Sequence, residues 1–222
     1  MRTQLKQRSL PDYTHGEELF NMISHIVGGG LGVIILVLCV IRSALHHNVS
    51  GVVGSAIYGA SMILLYTMSS IYHGLHPNLA KKVFQVLDHC TIYLLIAGTY
   101  SVITLGAICK VSPVIGWSLF GLEWGLTALA VTLTAIDLKQ YAVFSMICYI
   151  VMGWAIIGVF PTLIQAVGMA GAMYLLIGGI AYTIGAVLYG IGSKKRYMHS
   201  LFHLFVLLGS LLQFWSIFWY GL

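Results

Sequence analysis

The sequence predicts an all-α membrane protein that crosses the bilayer several times, and three observations lead to this fold class. Of the 222 residues, 59% are hydrophobic and only 8% are charged. The mean hydropathy is +0.93. A soluble domain carries about a quarter charged residues, so lipid must cover most of this surface. The apolar residues also occur in segments of about 20 residues, the length that a helix needs to span a bilayer.

Seven such segments follow one another, and we expect each to form one transmembrane helix. They are residues 19–41, 52–72, 84–108, 114–136, 141–160, 169–191 and 198–220. The linkers between them are short, so consecutive helices should be neighbours. We therefore expect residues 1–222 to form a single seven-helix transmembrane domain, with residues 1–16 as a short cytoplasmic N-terminal segment.

The positions of the basic residues predict the orientation of these helices. Nine of the 11 Lys and Arg residues fall in the N-terminal segment and in alternate loops: Arg2, Lys6, Arg8, Lys81, Lys82, Lys139, Lys194, Lys195 and Arg196. Only Arg42 and Lys110 fall on the other side. Because cytoplasmic loops are enriched in Lys and Arg, the N-terminus should be cytoplasmic and the C-terminus outside. The net charge of +5 is too dispersed to indicate a nucleic-acid partner.

Polar residues cluster near the predicted cytoplasmic ends of four segments. They are Glu17, Glu18, Asn21 and His25 in the first, Ser69 and His73 in the second, Asp88 and His89 in the third, and His199 and His203 in the seventh. Ionisable groups in membrane helices usually face the protein interior and have a function. A functional site is therefore expected at this depth.

Helical spacing brings several of these side chains onto common faces. His199 and His203 are four residues apart, as are Ser69 and His73. Three imidazoles and an open position for water are typical of catalytic zinc. We predict one zinc ion bound by His73, His199 and His203. Asp88 would be a general base, an outer-sphere acid or a fourth ligand, and Ser69 would orient an imidazole or the attacking water.

The remaining polar residues have alternative interpretations. Glu17 and Glu18 stand at a helix start, where carboxylates can simply cap the helix. His25 alone is more typical of a hydrogen-bonded packing residue, and His89 of a side chain that faces elsewhere. Together with Asn21, these residues form a possible outer shell of the metal site. The glycines after His25 should allow close helix approach: Gly28, Gly29, Gly30 and Gly32.

The order of these motifs resembles a known family. Glu17-Glu18-x-x-Asn21-x-x-Ser24-His25, Ser69-x-x-x-His73, Leu87-Asp88-His89-Cys90 and His199-x-x-x-His203 are similar to the patterns of the hemolysin III family. This is the bacterial branch of the progestin and adipoQ (adiponectin) receptor superfamily. The resemblance implies seven helices in the bacterial inner membrane with a cytoplasmic N-terminus. It also implies zinc held by the three histidines, with Asp88 contacting the metal through water.

The sequence favours a zinc-dependent hydrolase that acts on a lipid-like amide or ester. The resemblance supports this hypothesis, because the superfamily includes alkaline ceramidases, which hydrolyse a lipid amide. Membrane lipid is the expected surrounding, and the substrate should enter from it. Two alternatives are a sensor of membrane state with a structural zinc ion and a cytolytic or channel-forming hemolysin. The substrate and the oligomeric state are not predicted.

Overall fold

The computed structural model describes residues 5–192 and 195–222, and the regular elements in these ranges are all helical. The long helices are α1 (His15–Leu45), α2 (Val49–Gly74), α3 (Leu79–Ile103), α4 (Pro113–Ile136), α5 (Ala142–Trp154), α6 (Phe160–Gly192) and α7 (Met198–Ser216). A 3₁₀ turn precedes α1, and another follows α5. The all-α prediction is confirmed. Arg2 and Lys194, which contributed to the orientation argument, lie outside the described residues.

Six continuous helical runs in these residues are long and apolar enough to cross a membrane. They are His15–Leu45, Val49–Gly74, Leu79–Val111, Pro113–Ile136, Ala142–Gly192 and Met198–Gly221. The chain is therefore a multi-pass membrane protein. The fifth and sixth predicted segments share the run Ala142–Gly192, because no polar loop separates them. That run is interrupted by Gly168, whose φ of +70° and ψ of 167° are not helical.

Local sequence explains where several helices begin. Thr14 accepts a hydrogen bond from the backbone N–H of Glu17 at the start of α1, and Glu17 accepts one in return from the Thr14 backbone. This reciprocal pair is a capping box. Asn48, Asn78 and Ser112 cap α2, α3 and α4 in the same sense, through their side-chain oxygens. These caps fix the starts of α1, α2, α3 and α4, whereas the start of α7 has no side-chain cap.

The distribution of side chains is that of a protein in lipid. Large apolar side chains such as Ile26, Val27 and Ile34 are more than half exposed along the outer face of α1. Polar groups such as Asn21 and Thr104 are completely buried between helices. The exposed apolar surface is stabilised by contact with membrane lipid, since water would hydrate it unfavourably.

Packing brings the start of α1, the end of α2 and the start of α7 together. The most extensive contacts are α1 with α2, α2 with α3, and α6 with α7, and α1 also packs on α7. Gly28 lies in this contact, since an added Cβ would be 2.7 Å from the Tyr66 ring and 2.9 Å from Leu207. An added Cβ at Gly32 would be 3.1 Å from Ile63, whereas one at Gly30 would have no neighbour within 4 Å. The predicted glycine face thus has two glycines in close contact.

Candidate metal centre

Three buried histidines converge between α2 and α7. His73 lies in the last turn of α2, and His199 and His203 lie in the first turns of α7. All three side chains are buried, and one ring nitrogen of each lies within 4.8 Å of the others. The helical spacing of four residues accounts for the shared direction of His199 and His203. Packing of α2 beside the start of α7 then adds His73.

The nitrogen spacing fits a tetrahedral metal. The Nε2 atoms of His199 and His203 are 3.1 Å apart, and those of His199 and His73 are 3.4 Å apart. A zinc ion about 2.0–2.1 Å from each nitrogen, with tetrahedral angles, separates its ligand atoms by roughly 3.3–3.4 Å. These two separations are close to the value that one shared cation requires, and all three ligand nitrogens lie within 4.8 Å of one another.

Proton counting also favours a cation at this point. The ionised carboxylate of Glu18 lies 2.6 Å from Nδ1 of His73, so that nitrogen carries the proton and donates it. Nε2 of a neutral His73 is then an unprotonated acceptor. Nε2 of His199 faces nitrogens of both His73 and His203 but can hold at most one hydrogen. A single metal ion would accept electron pairs from all three nitrogens at once, whereas one hydrogen is shared by only two of them.

Glu18 connects the cluster to a buried lysine. One carboxylate oxygen accepts the hydrogen bond from His73, and the other lies 2.7 Å from Nζ of Lys81. Lys81 is buried and also donates to the backbone carbonyl of Leu75 at 2.9 Å. Such carboxylate–histidine pairs fix the orientation and tautomer of metal-binding imidazoles. Sequence reasoning counted Lys81 only as a topology signal and missed this contact.

Glu17 has a different role from its neighbour. It completes the capping box of α1 and also accepts a hydrogen bond from the backbone N–H of Tyr197, just before α7. The capping alternative therefore describes Glu17, whereas Glu18 contacts His73. The contact with Tyr197 joins the start of α7 to the start of α1.

His25 and Asn21, both on α1, lie on the side of the cluster where His203 of α7 packs. The rings of His25 and His203 stack with centroids 3.8 Å apart. Among the described residues, His25 is not one of the histidines whose ligand atoms converge. Both ring nitrogens of His25 and both side-chain polar atoms of Asn21 lack hydrogen-bond partners within the described chain. His25 supports the ring of His203 from the α1 side.

A cavity of about 150 Å³ adjoins the histidines. The polar side chains that line this cavity include Ser69, Asp88, His89 and His199. The rest of the lining is mostly apolar side chains of α3, α5, α6 and α7. The structure thus places Ser69 and Asp88 beside one common space. Asp88 is outside the converging set of described ligands.

His89 is held on the wall of this cavity. Its Nδ1 lies 2.8 Å from the carbonyl oxygen of Gln85, so Nδ1 donates and Nε2 accepts. The hydroxyl of Tyr189 lies 3.0 Å from Nε2 and donates to it. Both ring nitrogens are therefore engaged away from the cluster. The α6 residue Tyr189 carried no sequence signal, because a single tyrosine in an apolar segment has no distinctive spacing.

Comparisons with known proteins match almost the whole chain. A family model described as haemolysin-III related matches residues 13–214. The chain is 37% identical over 206 residues to Hemolysin-3 of Bacillus cereus, covering 93% of this chain and 92% of that protein. It is 33% identical over 208 residues to the Hemolysin-3 homolog of Bacillus subtilis, covering 94% and 96%.

A more distant similarity reaches animal proteins. The chain is 23% identical over 198 residues to the monocyte to macrophage differentiation factor of Homo sapiens, covering 84% of this chain and 79% of that protein. No solved structure matches significantly.

Proposed function

The chain belongs to the hemolysin III family, and from this premise and its convergent histidines we propose that it is a zinc-dependent hydrolase of a lipid-like amide or ester. The observation that carries the proposal is the approach of three buried imidazole nitrogens beside a mostly apolar cavity. Buried histidines without such convergence would be explained by packing alone. An apolar cavity without them would have no group able to activate water.

The proposal includes one transmembrane domain with seven crossings. A straight helix of 51 residues would be about 76 Å long, more than twice the hydrocarbon thickness of about 30 Å. The break at Gly168 divides Ala142–Gly192 into two parts, each long enough to cross once. Seven crossings put the termini on opposite sides. The excess of Lys and Arg in alternate loops then assigns the N-terminus to the cytoplasm.

The residues of the chain have distinct roles in this chemistry. Zinc, when bound by three imidazoles, activates water and polarises a carbonyl group. His73, His199 and His203 provide the ligands, and Glu18 keeps Nε2 of His73 free of a proton. Asp88, on the cavity wall, accepts the proton of the attacking water as general base. The Ser69 hydroxyl holds the water or the substrate carbonyl by a hydrogen bond.

The cavity lining indicates the substrate class. Side chains such as Ile92, Ile96 and Phe202 extend from the histidines into the bundle. An acyl chain in this space would be stabilised by contact with apolar groups, at about 0.8 kcal/mol per buried CH₂. The cleavable amide or ester group would then lie at the polar end, beside Asp88 and Ser69.

A hydrolysis assay with zinc-loaded protein in liposomes tests this function. The substrates are a panel of N-acyl amides and acyl esters, and the readout is released fatty acid. We expect hydrolysis by the wild type and its loss in His203→Ala and after chelation. Asp88→Asn should keep zinc but reduce the rate by about 10²–10⁴-fold, because it removes the base. The control His46→Ala, in the loop after α1, should behave as the wild type.

The same samples distinguish the alternatives. A zinc-loaded wild type without hydrolysis across the panel would contradict the hydrolase proposal. Release of a trapped dye from liposomes by purified protein would instead favour a cytolytic role. Loss of zinc that lowers thermal stability, with Asp88→Asn unchanged in every assay, would favour a sensor with structural zinc.

A further inference from the structure

Residues 5–14 form an N-terminal strap that lies across the end of the bundle where the histidines are. The first turn of the strap, Leu5–Gln7, packs on α3. Nζ of Lys82 at the start of α3 donates to the backbone carbonyl of Lys6 at 2.7 Å. Arg8 is buried, and its guanidinium lies 3.4 Å from the carbonyl oxygen of Ile136 and 4.0 Å from the carboxylate of Asp137. These contacts attach one end of the strap to α3 and to the end of α4.

The other end of the strap reaches the histidine cluster. The Tyr13 ring stacks on the His199 ring, with centroids 4.8 Å apart and planes inclined by 18°. It also lies 5.9 Å from the His73 ring. Burial, through loss of hydration, raises the pKa of the Tyr13 phenol well above its ordinary value, so the ring is neutral at pH 7. Thr14 then begins α1, which fixes the strap at this end.

The stack has a clear consequence for His199. Nδ1 of His73 is held by Glu18, and the His203 ring stacks on the His25 ring. Nδ1 of His199 has no hydrogen-bond partner among the described residues, and neither has Nδ1 of His203. Apart from the approach of its Nε2 to His73 and His203, the buried ring of His199 is oriented by aromatic contact. Tyr13 makes the closest and most nearly parallel of its contacts with tyrosine and phenylalanine.

We propose that Tyr13 is a positioning residue for His199 and that the strap separates the histidine cluster from the aqueous phase. This inference rests on the metal site of the proposed function. His199 lies between the strap and the apolar cavity, because its ring stacks on Tyr13 and the residue also lines the cavity. A bound metal is then reached by lipid-like molecules through the cavity, whereas a charged water-soluble molecule reaches it only after the strap moves away.

The rate of zinc loss to excess EDTA tests this inference. EDTA is charged and does not enter the apolar cavity. Tyr13→Ala should lose zinc at least about tenfold faster than the wild type, because ring support and cover are both removed. Tyr13→Phe keeps the stacking ring and should retain the wild-type rate. Arg8→Gln, which detaches the far end of the strap without changing Tyr13, should also accelerate zinc loss.

A matched control lies at the opposite end of the molecule. Tyr174 stacks with Tyr220, so Tyr174→Ala removes a comparable ring contact far from the strap and should not change the rate. Equal rates of zinc loss for wild type, Tyr13→Ala and Arg8→Gln would overturn the proposal that the strap separates the histidine cluster from the aqueous phase. A Tyr13→Phe rate as fast as that of Tyr13→Ala would overturn the role of the stacked ring.

A second measurement separates failure of the strap from failure of the metal site. If the wild type binds no zinc, the metal site is wrong, and the strap is tested on metal-free protein with diethyl pyrocarbonate. Faster modification of His199 in Tyr13→Ala than in the wild type, measured by mass spectrometry, would support the cover over this residue. Equal modification rates would overturn it.

Discussion

His73 has a different role for each of its ring nitrogens. Nδ1 donates to Glu18, and Nε2 points to the other two histidines. The buried Lys81 pairs with the second oxygen of the same carboxylate, which keeps Glu18 in one orientation. The two contacts determine which nitrogen of His73 is available to a metal. A change at Glu18 should therefore affect the metal without removing any ligand.

We predict that Glu18→Gln weakens zinc binding by about 10–100-fold, because the neutral amide is a poorer acceptor for the Nδ1 hydrogen of His73. Competition with a fluorescent zinc chelator measures the affinity. Glu17→Gln is the matched control, since Glu17 caps α1 and contacts Tyr197 rather than a ligand. It should reduce thermal stability but keep the affinity. Equal affinities for wild type and Glu18→Gln would contradict the role of Glu18.

Sequence spacing predicts some of these residue-level contacts and not others. The four-residue intervals within α2 and α7 place Ser69 with His73, and His199 with His203, because helical geometry is local. The contact of Glu18 with His73 joins residues 55 positions apart and depends on how α1 packs on α2. The stack of Tyr13 on His199 likewise depends on the path of the strap. Neither contact has a local sequence pattern.

Helix packing at Gly28 gives a test at the scale of elements. We predict that Gly28→Ala lowers the free energy of unfolding by about 1–3 kcal/mol, because its methyl group would overlap the Tyr66 ring and Leu207. Gly30→Ala has open space and should be neutral or slightly stabilising. Thermal unfolding in detergent, followed by tryptophan fluorescence, compares them. Equal loss in both variants would show that the α1–α2–α7 contact is not the cause.

The α4 residue Glu123 is a buried acid that the sequence interpretation did not single out. It is 0% exposed, and neither carboxyl oxygen has a hydrogen-bond partner among the described residues. We predict that Glu123→Met raises the free energy of unfolding by about 1–3 kcal/mol, since it removes an unsatisfied polar group and keeps the volume. Thermal unfolding measures this change. A destabilised Glu123→Met would instead indicate a partner for the carboxyl group.

The run Ala142–Gly192 shows why element boundaries were harder to predict than element types. The connection 161–168 is mostly apolar, with Thr162 and Gln165 as its polar side chains. Its peptide groups have few other partners in lipid, so they remain hydrogen-bonded in helix wherever they can. The helical conformation therefore continues through residues expected to form a loop. Pro161 fits the first turn of α6, where its missing N–H has no helical partner to lose. Gly168 provides the break, since glycine adopts positive φ at little cost.

At the scale of the whole molecule, the proposed seven-crossing topology predicts which residues face each side. In a protein whose four cysteines are replaced by alanine, the single substitutions His46→Cys and Met169→Cys should each react with an impermeant maleimide added outside intact cells. A cysteine at Lys195 should react only after permeabilisation. If Met169→Cys stayed unreactive in both intact and permeabilised cells, the chain would not return across the membrane at Gly168. Reversed labelling at all three positions would contradict the orientation.

The central claim is that His73, His199 and His203 hold one zinc ion in this membrane bundle. The most direct test is the metal content of detergent-purified wild type beside the double variant His199→Ala/His203→Ala, measured by plasma mass spectrometry with matched folding controls. We predict about one zinc ion per wild-type chain, as one set of three imidazoles requires, and its loss in the variant. Wild-type protein without bound metal, even after reconstitution with zinc, would contradict the account.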